Sequence, residues 1–214
     1  ELKKRNFNKR IDTNLKKFIN LLRDHKIDVV DLYDIFLKSK KTSKMYCETD
    51  SHWTSQASFI TAKNVANILK KNKLIMINND FNFEIVKNDI SITGDLSKIV
   101  NENKNEKLEL IKILPAGKTL SKESPILVLG DSHTLVFSQG GDFHSKNSGF
   151  PDHLAYHINR PVDLLGVKGS ASTVSRIKMV RQNRAKNKKV IIWIFSSREF
   201  TESTVGWKKV PVIK

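Results

Sequence analysis

Apolar positions divide the chain into alternating helical and extended stretches. Over "DTNLKKFINLLRDH", Leu15, Phe18, Ile19 and Leu22 recur every three or four residues, which predicts an amphipathic helix. "KIDVVDLYDIF" reads as a short buried strand running into a loop or helical turn. A polar loop follows, "YCETDSHWT", and Thr54 or Ser55 is placed to cap the next helix, "TSQASFITAKNVANILKKN". Ala57, Ile60, Ala62, Val65, Ile68 and Leu69 supply its apolar face. The pattern is least regular between residues 72 and 123, where "FNFEIV" and "LELIKIL" look strand-like around "SITGDLSKIV" and a polar loop, "NENKNEK".

The second half is clearer. "PILVLG", "PVDLLGV" and "KKVIIWIF" are short continuous apolar runs, the pattern of strands buried on both faces of a parallel sheet. "PDHLAYHINR" reads as an amphipathic helix opened by Pro151, and "SASTVSRIKMVRQNRAKN" as another, with the charged run "RQNRAKNKK" expected as a solvated helix end. Strands alternating with helices predict an α/β domain, a three-layer α/β/α arrangement with a mainly parallel central sheet. Sites in such sheets gather at the carboxyl ends of strands, and "GDSHT" directly follows "ILVL".

Composition narrows the reading. A chain of 214 residues, 39% hydrophobic and 28% charged, fits one globular domain over residues 1–214. No apolar run has the length of a membrane span. Glu1 opens into "ELKKRNFNKR", which suggests a start from which an export signal or anchor was trimmed. The single cysteine, Cys47, excludes an intramolecular disulfide. The net charge of +16 favours a polyanionic partner, unless the lysines only reflect a Lys-rich composition. No RNA- or DNA-binding motif is present, so nucleic acid is not expected.

The chemistry rests on two short stretches. A serine hydroxyl needs a base to remove its proton, and the base needs a carboxylate to orient it. Ser132, on a tight turn that Gly130 permits, is placed as nucleophile. Asp50 and His52 have one residue between them, so carboxylate and imidazole can meet within one loop. Asp131 is expected to hold the turn. His133 is expected to point away as the first residue of a helix, and Trp53 either packs the loop or stacks on a sugar. His144, Asp152, His153 and His157 raise the question of a metal. His153 and His157 are four apart, but there is no His-Glu-x-x-His motif, and no metal or cofactor is expected.

In combination these blocks resemble the SGNH hydrolase superfamily, and within it the alginate O-acetyltransferase branch of AlgJ/AlgX type. The similarity lies in an ordered set: "KIDVVDLYDIF", "TDSHWTSQASFITAKNVANIL", "ITGDLSKIV", "VLGDSHT", "SGFPDHLAYHINRPVDLL" and "VIIWIFSSREF". It covers about residues 12 to 200, with Asp-x-His-Trp ahead of the serine, a permuted order relative to ordinary SGNH esterases. No block resembles the branch's carbohydrate-binding module.

The resemblance implies Ser132 as nucleophile, His52 as general acid/base and Asp50 as orienting carboxylate. It implies an oxyanion hole at the Ser132 N–H, with Gly149 or Asn147 as second donor, and substrate contacts from Arg198 and Trp53. The implied activity is polysaccharide O-acetylation through an acetyl-enzyme, in the periplasm or elsewhere outside the cytoplasm. A membrane-bound acyltransferase partner would supply the acetyl group, and the charge suggests an anionic acceptor. Two alternatives stay open: a carbohydrate acetylesterase using water at the same site, and an inactive polyanion-binding domain.

Overall fold

A computed structural model describes residues 12–75, 81–169, 172–201 and 207–211; the opening "ELKKRNFNKR" lies outside them. Helix α1 (Thr13–Asp24) forms where the first apolar spacing predicts it. The strand expected at "KIDVVDLYDIF" does not form: residues 27–31 belong to no strand, and α2 (Leu32–Ser39) follows. The cause is local. Asp31 Oδ1 accepts from Tyr33 N at 3.1 Å and caps the helix, so the only apolar pair ahead of it, Val29–Val30, is too short to hold a ladder. Helix α3 (Ser55–Lys71) is capped by Thr54, whose Oγ1 accepts from Ala57 N at 3.1 Å. Ala57, Ala62, Val65 and Leu69 are buried along its apolar stripe.

The irregular middle resolves into a separate antiparallel hairpin, β1 (Glu84–Ile92) and β2 (Glu106–Leu114), in the register Glu84↔Leu114 to Ile92↔Glu106. Helix α4 (Asp95–Ile99) lies in its connection. β2 turns Leu108, Leu110 and Ile113 into the core, where the hairpin packs on α3 and α5 (Phe150–Ile158).

The three apolar runs form one parallel sheet, ordered β4-β3-β5. The strands are β3 (Ile126–Gly130), β4 (Asp163–Gly166) and β5 (Val190–Ile194). β3 is buried throughout, and its residues alternate between two cores. Ile126 and Val128 pack with residues of α3 and α5, such as Ala62 and Leu154. Leu127 and Leu129 pack with Met179 of α6 (Thr173–Arg181) on the other face. This alternation makes the three layers. From β3 the chain goes to β4 on one side and then to β5 on the other, so its direction reverses at β3, the kind of switch point beside whose carboxyl end sites form in such sheets. The short α7 (Arg198–Thr201) follows β5. Among the described residues, no helix is long and apolar enough to cross a membrane.

Two sequence expectations change in the core. The "RQNRAKNKK" run is not simply a solvated helix end, because Arg184 and Lys188 both pair with the buried carboxylate of Asp163. His153 and His157 lie on α5 as expected, but His153 is wholly buried. Its Nε2–H donates to Ile111 O at 2.7 Å, and its Nδ1 lies 3.0 Å from Ser58 Oγ. Both ring nitrogens are therefore spent on joining α5 to β2 and α3.

Burial lowers His153 to about 3 from its ordinary 6.5. The folded state keeps the ring neutral while the unfolded chain binds a proton, so this histidine's stabilising effect is complete above pH 6.5 and is lost as the pH falls toward 3. Asp152 next to it, raised to about 6 by burial, acts in the opposite sense between 3.8 and 6. The difference between two proteins isolates the histidine. His153→Gln, which keeps a donor for Ile111, is expected to melt below wild type at pH 7.5, and the gap should narrow steadily on acidification. A gap constant with pH, followed by calorimetry, would refute this account.

Candidate active site

The Asp-x-His loop is built around buried carboxylates. Glu106 Oε2, at the start of β2, accepts from Glu48 N (2.7 Å), Thr49 N (3.0 Å) and Thr49 Oγ1 (3.3 Å). Asp95, opening α4, accepts from Ser51 N at 2.7 Å and from Ser51 Oγ at 2.6 Å. Gly94 makes this approach possible: a Cβ there would sit 2.0 Å from Thr49 O and 2.5 Å from Asp50 Cα. The Gly-Asp of "ITGDL" is thus a clamp on the loop.

Asp50 is the centre of the arrangement. Its Oδ1 accepts from His52 N at 3.0 Å and from His52 Nδ1–H at 2.6 Å. Its Oδ2 accepts from Asp95 N at 3.2 Å and from His144 Nε2–H at 2.9 Å. Burial alone would raise this carboxyl; the hydrogen bonds from His144 and His52 and the nearby His52 charge overcome it and hold Asp50 well below the usual carboxylate range. An ionised carboxylate only accepts, so the proton of a neutral His52 ring sits on Nδ1 and the Nε2 lone pair is left for a substrate or nucleophile. Asp50, His52 and Asp95 offer ligand atoms within 4.8 Å of one another, the spacing of a metal site. Those carboxylate oxygens are already engaged by Ser51, His52, His144 and the Asp95 amide, a donor pattern that suits a hydrogen-bonded clamp.

Ser132 follows β3 and opens a single 3-10 turn, half-buried, its carbonyl accepting from Leu135 N and Val136 N. Gly130 lets the strand end run close to β5, since a Cβ there would lie 2.4 Å from Ile194 O. Asp131 holds the turn, as expected. Its Oδ1 accepts from His133 N at 2.9 Å and lies 3.2 Å from His133 Nδ1, while Oδ2 accepts from Ser196 N at 3.1 Å. Although burial opposes it, Asp131 is also held below the ordinary range, by the His133 contacts and the Ser196 amide.

His133 does not turn away. Its ring centroid lies 5.0 Å from that of His52 and 5.7 Å from that of Trp53, so the serine's turn and the Asp-x-His loop meet face to face. Among the described residues no hydrogen bond joins Ser132 Oγ to His52, and such contacts commonly tighten only when substrate is bound.

The other candidates divide. Trp53 is only 3% exposed, edge-on to His133 and stacked on Phe150, so it supports the loop from beneath and offers no face to a sugar. The Gly149 N–H is buried and donates to Asp152 Oδ2 at 3.2 Å, which commits it to capping α5. Asn147 is half-buried at φ 61, with its carbonyl held by Ile113 N at 2.8 Å. Arg198 is exposed at the start of α7, one turn past β5. Reading the sequence assigned no role to His144, Asp95 or Glu106. Signals existed for two residues: Asp95 stands in the "ITGDLSKIV" block, and His133 ends the second Asp-Ser-His, at 131–133 after 50–52.

A parallel sheet between helix layers, with a Gly-Asp-Ser turn at the end of its middle strand, is the architecture of an SGNH hydrolase-like domain. A family model described as "SGNH hydrolase-like domain, acetyltransferase AlgX" matches residues 1–197, and the chain belongs to that family. Solved structures agree on the fold. The O-acetyltransferase domain of Pseudomonas putida AlgJ superposes with a TM-score of 0.70 at 18% identity, covering 90% of this chain and 67% of that one. Pseudomonas aeruginosa AlgX superposes with a TM-score of 0.62 at 21% identity, covering 86% of this chain and 43% of AlgX. No curated protein matches.

The clamp can be tested apart from any activity. Gly94→Ala places a methyl group against the Thr49–Asp50 backbone, and neither side can yield without moving the loop. It is expected to cost about 1–3 kcal/mol in denaturant unfolding. A wild-type midpoint would show that the loop is not held in this way.

Proposed function

We propose that this domain transfers acetyl groups to polysaccharide hydroxyls through an acetyl-enzyme on Ser132. The observation that carries the reading is the Asp50–His52 pair, closed at 2.6 Å, with its imidazole 5.0 Å from the ring of the residue that follows Ser132. In this reading His52 Nε2 takes the proton of Ser132 Oγ as the oxygen attacks the acetyl carbonyl. Asp50 stabilises the resulting imidazolium without becoming protonated. The Ser132 N–H stabilises the tetrahedral oxyanion, with the Asn147 side chain as the candidate second donor, since the Gly149 N–H is taken. The protonated His52 then passes its proton to the departing donor group.

The same steps run again in the second half-reaction. An acceptor hydroxyl loses its proton to His52 and attacks the acetyl ester, and Ser132 recovers its proton as it leaves. In this reading Arg198, exposed beyond β5, contacts substrate. The surplus of 38 Lys and Arg over 22 Asp and Glu supports an anionic acceptor, and the resemblance to AlgJ and AlgX supports a site outside the cytoplasm served by a membrane-bound acetyl donor.

Two experiments test the reading. Incubated with an acetyl ester and then quenched, wild type should gain one acetyl group by mass spectrometry, and Ser132→Ala and His52→Ala should gain none, with Ser132→Ala melting near wild type. Adding oligosaccharide should move the acetyl group to sugar. Release only as acetate would identify an esterase, and unaltered labelling of Ser132→Ala would refute the nucleophile. Binding of an oligouronate should weaken steeply between low and physiological salt, where the Debye length shrinks to about 8 Å, whereas a neutral oligosaccharide of equal length should show little change. Equal salt dependence for both would reject the anionic acceptor.

A further inference from the structure

We propose that His144 is a positioning residue for the Asp50–His52 pair, locking the carboxylate from the side opposite His52; this rests on the acyl-transfer reading above. Asp50 has room for about four hydrogen bonds, and it receives four. His52 supplies two on Oδ1, while Asp95 N and His144 Nε2–H supply two on Oδ2. Without His144, Oδ2 would keep only the longer contact, at 3.2 Å, and the carboxylate would be free to rotate away from the imidazole.

The backbone at His144 supports a role beyond closing a turn. Its φ of 67° and ψ of −45° lie near the strained γ-turn conformation, which a residue with a Cβ rarely adopts. Glycine would adopt it at little cost, and the same loop already uses glycine at positions 140 and 141, both with positive φ. A histidine is retained at the one position where the loop reaches Asp50. Strain of this kind persists where the surroundings over-determine it. Here the loop is closed by Gly140 N to Ser145 O (2.8 Å) and Phe137 N to Phe143 O (2.8 Å), and the His144 ring lies 5.8 Å from that of Phe137. The loop rises from the segment that begins at Ser132, so the contact also ties the nucleophile's side of the site to the Asp-x-His loop.

The test measures turnover of p-nitrophenyl acetate together with thermal melting. His144→Gly removes the donor and the strain together. It should melt at or near the wild-type temperature while kcat falls by about 10- to 100-fold, the scale of a small misplacement at a reacting centre, with KM unchanged. His144→Gln, which can still donate to Oδ2, should recover most of kcat. His144→Met, of similar length but without a donor, should not. A wild-type kcat in the glycine variant, or equal rates for the Gln and Met variants, would overturn the proposal, and the second comparison decides it if the glycine variant melts early. The two readings fail differently. Turnover that survives Ser132→Ala refutes the acyl-transfer reading, whereas Ser132-dependent turnover indifferent to position 144 refutes this one alone.

Discussion

A buried negative charge must be matched by donors or it will not stay charged, and around Asp50 this requirement organises three separate parts of the chain. The loop itself supplies the His52 amide and ring, the start of α4 supplies an amide, and the loop after the serine's turn supplies His144. Neither of the last two donors is useful unless the tertiary structure is complete. Glu106 repeats the device one step earlier, gathering the amides of residues 48 and 49 and so joining the hairpin to the same loop. The hairpin thus has a reason to be present beyond its apolar contacts: the first residue of β2 fixes the entry to the Asp-x-His segment.

The sheet places the other half of the site. β3 is buried on both faces, so the chain can expose a side chain only after the strand ends. Because β4 and β5 lie on opposite sides of β3, their following loops diverge there, and Ser132 emerges between them. Asp131 fastens this turn to the loop after β5 through the Ser196 amide. Position and rigidity of the serine therefore follow from the packing of a five-residue strand.

Much of this was legible in sequence, and the reasons are local. The runs at 126–130, 163–166 and 190–194 declared themselves by continuous apolarity, and α3 by its stripe and its threonine cap. Asp50 and His52 were legible because two residues of the right types stood in one loop. The failures share one cause, which is that the deciding contact is distant or competes with a pattern. The strand expected near Val29–Val30 gave way to the Asp31 cap. Trp53, left open between packing its loop and stacking on a sugar, is decided by Phe150, nearly a hundred residues away. His144 lies in a loop of glycine and polar residues, and nothing near it in sequence points to Asp50. The charge run at 181–189 looked like solvated surface because its buried partner, Asp163, belongs to another element.

The order of the motifs has a physical explanation in the same terms. Asp50 and His52 form a pair closed over two residues, with the carboxylate bonded to both the amide and the ring of the histidine. Such a pair is a self-contained packet. It needs a platform, here the Gly94–Asp95 clamp and Glu106, but not a particular place in chain order relative to the serine. The serine in turn needs only a buried strand to end beneath it. What must be preserved is the meeting of the two packets, and here the rings of His52 and His133 provide it, 5.0 Å apart. An Asp-x-His packet ahead of the sheet can thus serve the same chemistry as one behind it, because the triad is defined by geometry and not by order along the chain.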